Sequence, residues 1–113
     1  MRRKGAGMER IPEGAVAVIF VSTRTADDEE GYAEAADAMV RAARDQPGYL
    51  GIDSARGADG FGVTVSYWAS EAAAIAWREH VDHAPIRAQG RAGWYDAYRV
   101  VVADVSRSYA WRR

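Results

Sequence analysis

At 113 residues the chain has room for one domain around one hydrophobic core, and a hydrophobic share of 49% is that of an ordinary globular protein. With 15 Lys and Arg against 16 Asp and Glu, a net charge of −1 gives neither nucleic acid nor an anionic membrane an electrostatic footing as partner. The absence of cysteine excludes disulfides, thiol nucleophiles and thiolate metal sites, and fits a reducing cytoplasm.

Residues 1–14, MRRKGAGMERIPEG, are basic and are followed by no apolar segment of the kind a signal peptide needs. They read as a flexible extension, with Met8 an alternative start, ahead of a single domain over residues 15–113. No apolar run approaches the roughly 20 residues of a membrane span. Ala15 to Thr23, AVAVIFVST, is apolar on both alternating faces, which predicts a strand covered on both sides.

Asp27, followed three residues later by Glu30, predicts a capped helix start. Tyr32, Ala35, Ala36, Met39 and Ala43 then share one helical face, while Glu34, Asp37, Arg41 and Arg44 share the other. Gln46, Pro47 and Gly48 stop that helix. Tyr49 to Arg56 and Phe61 to Trp68 read as two strands joined by the turn GADG at residues 57–60, giving a hairpin.

In the second of these strands Thr64, Ser66 and Trp68 share one face. Ser70 is placed to cap the next helix, with Glu71 in its first turn. At ~100° per residue, Ala73, Ala76, Trp77, His80 and Val81 fall on the inner face of that helix, and Ile75 lies within its polar arc. Pro85 starts a further helical turn or two, and Tyr98 to Val105 forms the last strand. The tail through Tyr109 and Trp111 is apolar enough to be expected to dock.

Strand, helix, strand, strand, helix, strand is the order of the split βαβ, ferredoxin-like α+β arrangement: a four-stranded antiparallel sheet with both helices on one face. The other face is left apolar and bare, so a homodimer is expected to cover it.

The segments AVAVIFVS, QPGYLGIDS and VSYWASEAAAIAWREH resemble the antibiotic biosynthesis monooxygenase family, and the order of elements extends that likeness from about Ala15 to Trp111. The resemblance implies a dimeric α+β barrel. In the family's cofactor-free oxygenases of polyphenolic aromatics, a Trp at the end of the third strand lies in the pocket, and Trp68 matches it. Thr64 and Ala74 stand where that pattern has an Asn and a Tyr. In the haem-degrading relatives a helix Trp presses on the porphyrin, and Trp77 matches it. Arg87 stands where a His ligates the iron, and Val21 or Ser22 where the first strand carries an Asn.

Each candidate residue has two readings. Trp68, beside Thr64 and Ser66, lines a half-polar pocket or plugs the end of the sheet, and Trp77 lines the same pocket or packs in the core. His80 is a general base or a hydrogen-bonded core residue. His80 and His83 at i, i+3 are a conceivable metal pair with no evident third ligand. Arg87 and Arg91 hold an anionic substrate group or lie on the surface. The expected function is a cofactor-independent monooxygenase for a small aromatic or polyketide-like compound, with Trp68 shaping the cavity and His80 taking the proton. The alternatives are a non-catalytic module for a hydrophobic ligand or haem, and haem degradation.

Overall fold

The computed structural model of the chain describes residues 2–5, 8–83 and 93–113, with the backbone alone at 2–5, 82 and 83. Its elements are β1 (Arg2–Gly5), β2 (Val16–Arg24), α1 (Glu29–Arg44), β3 (Tyr49–Arg56), β4 (Phe61–Trp68), α2 (Glu71–His83) and β5 (Tyr95–Asp104). One antiparallel five-stranded sheet has the order β1-β3-β4-β2-β5. The strand that is apolar on both faces, β2, is an inner strand between β4 and β5. The four expected strands form the ferredoxin-like set β3-β4-β2-β5. A fifth, β1, is added at the edge from the segment expected to be a flexible extension, with Arg3 opposite Ala55 and Lys4 opposite Ser54.

Both helices pack on one face, where Val16 and Trp68 form the core with Ala43 of α1 and Ala74 and Trp77 of α2. Side chains alternate along a strand, so the register of Val18, Phe20 and Ser22 against Ser66, Thr64 and Gly62 places them all on that helix side. Tyr98, Val100 and Val102 join them from β5, opposite Ser22, Phe20 and Val18. The other face carries Ala17, Ile19 and Val21 beside Phe61, Val63, Val65 and Tyr67. There Asp53, Ala55, Val63 and Val65 line a shallow depression.

The helix starts follow from local chemistry, with one shift. Ser70 caps α2, its Oγ accepting from the Ala73 N–H at 3.1 Å. The cap of α1 is Asp28 and not the expected Asp27: Asp28 has a left-handed backbone at φ 52°, and its carboxylate accepts from the Gly31 N–H at 3.2 Å. Asp27 is occupied otherwise, its N–H donating to Thr25 Oγ1 at 3.1 Å. An acid tolerates the left-handed region better than most residues, which lets the turn close one residue later. Gly48, at φ 82°, ends the stop after α1, and a Cβ there would lie 2.6 Å from Ala73 Cβ.

The inner face of α2 also differs from expectation. Ala73, Ala74, Trp77 and Val81 are buried or half-buried, whereas Ala76 and His80 are exposed. Trp77 carries the largest apolar surface on the helix, and seating its ring on Trp68 sets the rotation. Burying the imidazole as well would strip water from two ring nitrogens without supplying partners.

The tail docks only in part. Ser108 Oγ accepts from the Ile11 N–H and donates to the Ile11 carbonyl, both at 2.7 Å. Tyr109 and Trp111 beyond it remain 84% and 78% exposed.

Candidate functional site

The strand end and the helix that follows it bring three of the expected site residues into one stack. Trp68 is fully buried, and its ring lies 5.5 Å from that of Trp77 at an interplanar angle of 24°. Trp77 in turn lies 5.5 Å from the imidazole of His80 at 16°. Tyr49 meets Trp68 edge-on at 5.9 Å, and its buried hydroxyl has no hydrogen-bond partner among the described residues. Trp68 Nε1 donates to Ser66 Oγ at 2.9 Å, which accounts for the burial of Ser66. This end of the sheet is therefore closed: Trp68 offers no free face, and His80 caps the stack from solvent instead of facing inward.

Two residues farther along the same face, the sheet opens. Thr64 is half-buried, and its Oγ1 shares a 2.6 Å hydrogen bond with Ser54 Oγ. Phe20 lies opposite it on β2. Tyr98, Val100 and Val102 of β5 are 37%, 51% and 57% exposed on this helix side. The result is an apolar floor with hydroxyls at one edge, the makings of a site for a flat hydrophobic ligand.

The far end of this floor is aromatic and cationic, and neither property stands out in the sequence. Phe20 lies 5.4 Å from both Tyr95 and Tyr98, measured between ring centroids. Tyr32 of α1 meets Tyr95 edge-on, with 5.9 Å between ring centroids. The Arg24 guanidinium lies over the Tyr32 ring, 3.9 Å from its centroid. Arg56 donates to Tyr32 Oη at 3.2 Å and to Ser22 Oγ at 2.7 Å.

Burial pushes the Tyr95 hydroxyl well above the ordinary tyrosine range. Tyr32 adds to the rise, and Arg56 and Arg24 partly offset it. Tyr95 is thus a neutral hydrogen-bond donor at any ordinary pH. The inward Arg24 and Arg56, on strands otherwise lined by small or apolar residues, were the available signal for this cluster. Their convergence on Tyr32 depends on how α1 lies over the sheet.

Arg87 and Arg91 lie outside the described residues, as does the side chain of His83. Among the described residues no group of acids and histidines could hold a metal ion. The residues present also do not fit a haem pressed on Trp77, because Trp68 and His80 stack against that indole and leave no ring face for a porphyrin.

Comparison with known proteins places this geometry in a setting. The sequence profile of the antibiotic biosynthesis monooxygenase family matches residues 15–89. The uncharacterised protein YqjZ of Bacillus subtilis (strain 168) is 50% identical over 91 residues, covering 80% of this chain and 79% of that one. The structure of Rv0793 from Mycobacterium tuberculosis superposes with a TM-score of 0.69 at 24% identity, over 80% of this chain and 94% of the other. SnoaB, a cofactor-independent oxygenase from Streptomyces nogalater, gives a TM-score of 0.69 at 15% identity, over 81% and 93%. At such identities the two structures show a shared fold.

Proposed function

The chain belongs to the antibiotic biosynthesis monooxygenase family, and on that premise we propose that it is a cofactor-independent monooxygenase acting on a small aromatic or polyketide-like compound. The observation that carries this reading is the floor of Phe20, Tyr98, Val100 and Val102 beside the Thr64 hydroxyl on the helix side of the sheet. A ring lying there would put its phenol or keto oxygen within reach of Thr64. If Ser54 donates in the hydrogen bond they share, Thr64 keeps its own proton for that oxygen. Ser66, Trp68 and Trp77 form the closed wall behind it, His80 on the solvent side of that wall takes the substrate proton by way of water, and Arg87 holds an anionic group of the substrate.

The chemistry then needs little more than a positioned substrate anion and dioxygen. For an anthrone, loss of the ring C–H proton gives a carbanion that bonds to dioxygen. The resulting hydroperoxide loses water to leave the quinone, so one oxygen atom stays as carbonyl and the other departs as water. The working form in this reading is a cytoplasmic homodimer joined through the open sheet face, where Ile19, Val21, Val63 and Val65 lie side by side.

Oxygen-electrode measurements with anthrone should show uptake equimolar with anthraquinone, reduced about tenfold or more in Thr64→Val. Uptake no faster than in protein-free buffer would refute the oxygenase. A second reading, a binding module that holds a hydrophobic ligand without turnover, is favoured by the buried Ala74 where the family's oxygenase pattern has a Tyr. Saturable binding of anthrone without oxygen uptake would establish it. Hemin should produce no Soret shift at micromolar protein.

A further inference from the structure

We propose that Arg24, Arg56, Tyr32 and Tyr95 form an anion-holding pocket end, which takes the carboxylate or phenolate of an aromatic ligand whose ring lies on Phe20 and Tyr98. Arg24 is 9% exposed, and Arg56 lies so close over Gly62 that a Cβ there would be 2.6 Å from its Cζ. Two guanidinium groups thus sit at the inner surface of the sheet. Among the described residues their hydrogen bonds go to the carbonyls of Ser22, Asp27, Gly60 and Trp94 and to the hydroxyls of Ser22 and Tyr32, and to no carboxylate.

Carbonyls satisfy the N–H groups but, among the described residues, supply no carboxylate to balance the two positive charges. In a half-dry setting this is unfavourable for the empty protein and attractive to an anion. The hydroxyl pair adds direction. Tyr32 Oη accepts from Arg56, and the Tyr95 hydroxyl beside it, kept neutral by burial, can turn its proton to a ligand oxygen. Phe20, with Tyr95 and Tyr98 each 5.4 Å from it, supplies the ring surface beside that donor. Serving only to hold β2 against β5 would not require two cations.

This deepens the aromatic-ligand reading and rests on it, but it is tested by binding alone. Calorimetric titration of the intact chain with 2-naphthoate and with 2-naphthamide compares an anion and a neutral amide of one shape. Naphthoate should bind at least tenfold more tightly. That preference should vanish in Arg56→Gln and fall about tenfold in Tyr95→Phe, while Tyr98→Ala should weaken both probes. Circular dichroism melts identify a variant that fails to fold, and Tyr95→Phe, which removes one oxygen, decides if Arg56→Gln does.

Equal affinities, no binding of either probe at millimolar concentration, or an undiminished preference in folded Tyr95→Phe would each overturn the proposal. Selective naphthoate binding without anthrone oxidation would refute the oxygenase and leave the pocket standing. Oxidation without anion preference would do the reverse.

Discussion

Trp68 and Tyr95 show how burial turns similar rings to different ends. Trp68 is fully enclosed and has its N–H satisfied by Ser66, so its contribution is stability. Trp68→Ala should lower the unfolding free energy by about 3–5 kcal/mol. Ser66→Ala should cost about 1–3 kcal/mol by stranding the indole N–H; urea titration measures both. Tyr95 keeps its proton in the folded state beyond the point where an unfolded tyrosine loses it, because burial, and then Tyr32, raise its pKa.

The sign follows from proton counts. Below about pH 10 both states hold this proton and stability is unaffected, whereas above it the unfolded chain sheds the proton and stability falls. Tyr95→Phe should flatten that alkaline loss in urea midpoints followed from pH 8 upward, and an unchanged slope would show that Tyr95 is not the group responsible. His80 is exposed against Trp77, so His80→Ala should leave the melting temperature nearly unchanged. A fall of about 100-fold in anthrone oxidation would mark it as the base, and unchanged turnover would remove that role.

Elements, more than single residues, decide where the site opens. The bond from the Ala69 N–H to the Gly48 carbonyl, at 2.8 Å, clamps the end of β4 to the turn after α1, just where Trp68 is enclosed. Gly48→Ala would force a side chain into a left-handed backbone and against Ala73. It should destabilise by at least about 1 kcal/mol, and loss of the Ser70 cap in Ser70→Ala by about 1 kcal/mol. Two-residue steps along β4 and β2 move from this closed end to Thr64 and then to Gly62 and Ser22. Gly62 leaves room for the Arg56 guanidinium, so Gly62→Ala should displace it and weaken naphthoate binding more than naphthamide binding. Equal weakening of both probes would show that the guanidinium is not what discriminates between them.

At the scale of the whole molecule, the sheet has one face packed by helices and one apolar face open around Ile19, Val21, Val63 and Val65. With Phe61 51% and Val101 41% exposed there, a second copy is the occupant the homodimer reading supplies. Sedimentation should give twice the chain mass, and Val63→Glu should shift it toward the monomer; a monomeric wild-type chain at micromolar concentration would end that reading.

What the amino-acid order settled by itself was set by local periodicity. The two-sided apolar run of β2, the alternation of β4, the Ser70 cap and the glycine turns required only neighbours in sequence, and with them came the ferredoxin-like order. Tertiary packing decided the rest. Which residue of α2 lies deepest was settled by the fit of Trp77 against Trp68, a contact between elements that turned His80 outward. The gathering of Arg24, Tyr32, Arg56 and Tyr95 draws on four separate segments, and no window of sequence contains it. Helical and strand periods tell each residue which way to face along its own element, whereas a site is made where the faces of several elements meet.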